Sequence, residues 1–193
     1  LARTEGAMAV GDLFRYARRA FFSKPTPERQ LLRLAKQHAI RRVVEVGLES
    51  VDSTAQLLDL LVKQAKGEPV KYTALDLFDD RPAEAPSMPL VAAYRRLVGV
   101  GAKVRLTPGR LGASLASEAN SLADTDLLLL SRDASDEALG PAWFYVPRMC
   151  HPGTLVLRRI DGEGDDPSSE WREIPLPEVA ARANALLPRR RAA

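Results

Sequence analysis

A chain of 193 residues that is 46% hydrophobic and 27% charged has an ordinary globular composition and the size of one domain. It is long enough to bury roughly 70% of the surface it exposes when unfolded, so it needs no covalent staples. Its single cysteine, Cys150, excludes an internal disulfide and a cysteine metal cluster. The net charge of +3 is uneven: residues 1–42 carry ten Lys and Arg against three acids, and Arg189, Arg190 and Arg191 lie near the end.

No apolar run approaches the roughly 20 residues that span a bilayer, and no apolar signal core follows a basic start. A cytoplasmic protein is the expectation, and one cysteine is compatible with a reducing compartment. Basic stretches of this kind attract nucleic acid or anionic lipid. Here stacking aromatics are not interleaved with the charges, and the ordinary reading is a solvated helix face.

Val10 to Phe22 reads as a helix, with Val10, Leu13, Phe14, Ala17 and Phe21 at helical spacing. Thr26 and Pro27 supply an N-cap and a proline first turn for a second helix running to about Ala39. The period then changes. Arg42 to Gly47 is a short β-branched run of the kind found in buried parallel strands. Ser53 with Gln56 forms a capping-box pattern that opens a helix, closed by Lys63, Lys66 and Gly67.

The alternation repeats along the chain. Lys71 to Phe78 is a second strand, Asp79 to Pro89 a proline-rich loop and Leu90 to Val98 a helix. Lys103 to Thr107 is a third strand, Leu111 to Leu122 a helix and Asp126 to Ser131 a fourth strand. Ser135 caps a further helix that Gly140-Pro141 interrupts, and Thr154 to Ile160 is a fifth strand. Asp161 to Glu170 is an acidic exposed loop whose acids lack the spacing of a calcium loop. Trp171 to Pro175 reads as a short edge strand and Pro177 to Leu187 as a final helix.

Strand–helix alternation with short apolar strands predicts an α/β fold: a mostly parallel sheet covered by helices on both faces. N-terminal helices over residues 1–40 pack on a core domain of residues 41–187, and residues 188–193 form a basic tail. In such sheets ligands bind beyond the carboxyl ends of the strands, near the switch in strand order. A small molecule in that cleft is the expected partner, and its candidate residues lie in Glu45 to Val51, Asp76 to Asp80, Thr107 to Leu111 and Ser131 to Asp136.

From about Pro27 to Ile160 the layout resembles a class I S-adenosylmethionine-dependent methyltransferase. The resemblance rests on Glu45-Val46-Gly47 ending the first strand, the second strand carrying Asp76 and the apolar fourth strand from Asp126 to Leu130. It also rests on Cys150-His151-Pro152-Gly153-Thr154 before the fifth. It implies a Rossmann-like, three-layer domain with strand order about 3-2-1-4-5, its end shortened because residues 161–193 leave little room for the usual last pair of strands.

It also implies that S-adenosylmethionine is the cofactor. Glu45, Gly47, Glu49 and Ser50 would then lie under its methionyl part, with Asp76 and Leu77 at the ribose. Gly109 and Arg110 would lie near the adenine, with Ser131 at the fourth strand. A carboxylate suits the ribose because it only accepts hydrogen bonds and can take both hydroxyls. Asp133 follows the fourth strand and is the candidate catalytic base. No metal is expected, since Ser131 stands where metal-dependent relatives carry an aspartate.

The sequence departs from the family pattern at the turn. Gly47-Leu48-Glu49-Ser50-Val51 keeps only the first glycine of the usual alternation. The lost glycines would let backbone approach a ligand, and Glu49 adds a negative charge at a helix start that otherwise attracts anions. Arg110 places a donor where the family wants an acceptor. The alternative is therefore a Rossmann-like scaffold or binding module that has lost its cofactor. His38, His151 and Cys150 read as structural residues, and Trp143, Phe144 and Tyr145 as packing.

Overall fold

The computed structural model describes residues 26–161 and 169–185. The expected helix Val10–Phe22, most of the acidic loop and the basic tail lie outside the described residues. Helix α1 (Pro27–Lys36) starts as the sequence predicts: the Thr26 hydroxyl accepts from the Arg29 amide and Pro27 occupies the first turn. It ends short of Ala39, because the chain must extend before β1 (Arg42–Val46).

Helix α2 (Val51–Gln64) begins one turn earlier than the Ser53–Gln56 pattern suggests. Ser50 is the cap, its hydroxyl accepting from the Ser53 amide at 3.3 Å. The turn from β1 into α2 is thus only Gly47 to Ser50. Strand β2 (Lys71–Asp76) stops before Phe78. The Asp76 carboxylate accepts from the Phe78 amide at 2.8 Å, and Phe78 takes a left-handed φ of 51° into a 3-10 turn.

Helix α3 (Leu90–Val98) and strand β3 (Lys103–Pro108) follow. The predicted helix over Leu111 to Leu122 is α4 (Leu111–Glu118) closed by a 3-10 turn. After β4 (Thr125–Leu130) come α5 (Asp136–Leu139), capped by Ser135 as expected, a 3-10 stretch from Gly140 and α6 (Val146–Met149). Strand β5 (Cys150–Ile160) is four residues longer at its start than predicted. Its Pro152 is tolerated there because the antiparallel β6 (Glu170–Glu173) pairs only with Leu157 to Ile160, leaving the first half of β5 an edge. Helix α7 (Leu176–Ala185) ends the described chain.

The six strands form one sheet in the order β3-β2-β1-β4-β5-β6, parallel except for β6. This is the Rossmann-like order that the resemblance implies, with one closing strand. Strand alternation divides the apolar residues between two cores. Val43, Tyr72, Leu127 and Leu129 face α1, α2 and α3. Val44, Val46, Leu75, Leu128 and Leu130 face α4 to α7 with the fully buried Trp143. The strand order switches between β1 and β4, which pair in register from Val43–Leu127 to Val46–Leu130. No helix among the described residues is long and apolar enough to cross a membrane.

Candidate functional site

Gly47 sits where β1, β2 and β4 end together. Its amide donates to the Leu75 carbonyl at 2.8 Å, and the Ser131 amide donates to the Val46 carbonyl at 3.0 Å. Gly47 has φ +80°, and a Cβ there would lie 1.9 Å from the Ser131 hydroxyl. The surviving glycine of the turn therefore admits Ser131 itself, and the seam between the β1 and β4 loops is filled by protein. The Ser131 hydroxyl is buried and has no hydrogen-bond partner among the described residues.

Glu49 crosses the same seam. Its carboxylate accepts from the Arg132 amide at 2.9 Å and approaches Arg159 Nε at 3.9 Å. It ties the β1 loop to the β4 loop instead of facing an open cleft.

Asp76 is buried at the end of β2, and both its oxygens are engaged. Oδ2 accepts from the Leu48 amide at 2.7 Å and Oδ1 from the Phe78 amide at 2.8 Å. The Arg81 guanidinium completes the set with two parallel bonds, Nε to Oδ1 at 2.8 Å and Nη2 to Oδ2 at 2.7 Å. Nη2 also donates to the Leu48 carbonyl at 2.5 Å. The Arg81 side chain is only 9% exposed. Its hydrogen bonds to Asp76 raise its pKa further, so the charge is permanent.

A cleft of about 410 Å³ opens beside this pair, lined by Leu77, Arg81, Pro86, Arg110, Leu111 and Asp133 among others. Arg110 stands at the cap position of α4, and it and Asp133 are exposed. Gly109 turns the chain behind Arg110, its amide donating to the Asp76 carbonyl.

Glu45 belongs to a different place. Strand alternation points it to the opposite face of the sheet from Val46, toward α2. Its Oε2 accepts from Tyr72 at 2.7 Å and Thr54 at 2.9 Å. Burial pushes its pKa up to about 7, against the two hydroxyl bonds, and Glu49 and Asp76 add repulsion. Burial and the Glu45 carboxyl likewise raise Tyr72 well above its ordinary value. Glu45, Glu49 and Ser50 line a small cavity of about 40 Å³ with Glu28, Arg159 and Trp171.

The structure thus divides the sequence-predicted site. Asp76, Leu77, Arg110 and Asp133 meet in one cleft. Glu45, Glu49 and Ser50 meet in a separate cavity, and Gly47 and Ser131 close the seam between them. Arg81 was not legible as a site residue. Its only local signal is its position five residues after Asp76 in a proline-rich loop.

The other candidates are structural. His151 Nδ1 accepts from the Gly153 amide and Nε2 donates to Asp126, whose other oxygen accepts from the Arg41 and Arg42 amides. This knot lies at the amino ends of the strands, away from the cleft. Burial pushes the Cys150 thiol up to about 11, which keeps it from acting as a thiolate. Trp143 is packed in the core, with Arg158 and Arg182 over its ring. Among the described residues no group of three or more potential metal ligands occurs.

No family model matches the sequence, and no curated protein matches it. Several solved structures are similar, two of which are the following. One is a methyltransferase from Geobacter sulfurreducens, with 17% identity over 80% of this chain and 72% of that one, at a TM-score of 0.48. The other is the cofactor-bound protein Rv0187 from MTB, with 20% identity over 81% of this chain and 63% of that one, also at 0.48. At these values the likeness concerns architecture, and the site has to be judged on its own residues.

Proposed function

We propose that this chain is a non-catalytic binding module on a methyltransferase-type Rossmann-like scaffold, one that has lost S-adenosylmethionine binding. One observation carries this reading: Arg81 occupies the carboxylate that would accept the ribose hydroxyls. A nucleoside there would have to break two charge-assisted bonds and expel a buried guanidinium. The residues around the turn also fit the cofactor poorly. Ser131 fills the space beside Gly47, and Glu49 is tied to the Arg132 amide.

The cleft beside Arg110 supports a small-molecule ligand of another kind. It also favours the competing reading, a working S-adenosylmethionine-dependent methyltransferase, if Arg81 swings out when the cofactor arrives. Calorimetric titration with S-adenosylhomocysteine separates the two. The module reading predicts no heat and no thermal shift at about 1 mM ligand; a dissociation constant below about 100 μM would overturn it. In that event Asp76→Ala should weaken binding by more than about tenfold, as loss of a charged hydrogen-bond acceptor does.

A further inference from the structure

The loops after β3 and β4 reach one cleft because their helices touch. A Cβ on Gly112, in the first turn of α4, would lie 2.8 Å from the Ala138 carbonyl oxygen of α5, so the two helices meet backbone to backbone. Arg110 stands just before α4 and Asp133 in the loop that leads into α5, and both line the cleft of about 410 Å³. The charges there fall into two sets. Asp76 and Arg81 neutralise each other through two parallel bonds. Arg110 and Asp133 are exposed, and their side chains make no ion pair or hydrogen bond among the described residues. Asp133 supports the Arg81 charge only through space. One cation and one anion are thus left on the walls of a cleft about 7 Å across, the cube root of its volume.

The rest of the lining decides what fits between them. Leu77, Pro82, Pro86, Leu111 and Ala138 give aliphatic walls. No lining residue is aromatic, so nothing stacks on a planar base, and none carries a hydroxyl or amide side chain to read sugar hydroxyls. Adenine and ribose, which the resemblance places here, are uncharged and would leave both Arg110 and Asp133 without a partner. We infer that this cleft, with S-adenosylmethionine binding lost as proposed above, takes a free aliphatic amino acid. Its carboxylate meets the Arg110 guanidinium, which can hold it by two parallel bonds. Its ammonium donates to Asp133, and its side chain lies on the aliphatic walls. A plain carboxylate would cover Asp133 without pairing it, and a plain amine would do the same to Arg110, each at the cost of desolvating an unpaired charge.

The test is calorimetric titration of the full chain with leucine, isoleucine and valine at neutral pH. At least one should bind with a dissociation constant below about 1 mM. For leucine, 4-methylpentanoate lacks the ammonium and 3-methylbutylamine lacks the carboxylate, and each should bind at least about tenfold more weakly. Arg110→Ala should abolish the preference for leucine over the amine, and Asp133→Asn the preference over the carboxylate, because each variant removes the partner of one ligand charge only. No binding by any of the three amino acids at about 10 mM overturns the inference. So does an analogue that binds as tightly as leucine, or preferences that survive both variants. S-adenosylhomocysteine titrated in parallel separates this from the reading it rests on. If neither ligand binds, the amino-acid site falls and the module reading stands. If S-adenosylhomocysteine binds below about 100 μM, the module reading falls and takes this inference with it.

Discussion

Replacing Arg81 with methionine should destabilise the fold by about 3 to 5 kcal/mol, the range for removing one partner of a buried ion pair. The reason is what remains behind. Asp76 keeps its two amide donors but loses the guanidinium that pairs with it in a pocket where its side chain is 4% exposed. The Leu48 carbonyl loses a donor as well. Urea unfolding at neutral pH measures the loss as a shift in midpoint with an unchanged slope. Arg81→Lys should fall between wild type and Arg81→Met, because an ammonium keeps the charge but not the two-pronged fork. A loss below about 1 kcal/mol in Arg81→Met would mean that the pair is solvated. Arg81 would then be free to leave Asp76 to a ligand.

Glu45→Gln should remove a pH dependence of stability worth about 2 to 3 kcal/mol between pH 5 and pH 8, as a shift from 4.5 to about 7 implies. The sign follows from burial. The folded chain holds the Glu45 proton more tightly than the unfolded chain does. The stability tied to that proton is complete below the unfolded pKa and is lost as pH rises through about 7. The substituted amide has no proton to lose in this range, and its carbonyl can still accept from Tyr72 and Thr54. Denaturant titrations of both proteins at several pH values isolate this one group, since every other carboxyl is common to both. Parallel pH profiles would show that Glu45 is solvated through the small cavity beside Arg159, leaving its pKa ordinary.

The site residues differ in how far they could be read in advance. Asp76 near the end of the second strand was legible through the resemblance, although the strand stops at Asp76 and not at Phe78. So was the crowding of the turn by Leu48 and Glu49. The division of Glu45 from Asp76 was in principle legible too, because alternation sends Glu45 and Val46 to opposite faces. A cofactor loop would bring the two carboxyls to one ligand, whereas here the sheet lies between them. The engagement of Asp76 by Arg81 was not legible. It depends on where the proline-rich loop folds back, and Arg side chains in such loops carry no periodic signal.

The sequence by itself determined the strands, the helices and, through their alternation, a mostly parallel sheet. Those follow from the period of apolar residues and from local caps and breaks, which are properties of neighbours in the chain. Only the tertiary structure decided what became of the binding site. Ser131 against Gly47, Glu49 on the Arg132 amide and Arg81 on Asp76 bring together residues whose loops meet only because β1, β2 and β4 end side by side. Hydrogen bonds of that kind are satisfied by whatever donor the fold delivers, whether protein or ligand. Here the fold delivers protein.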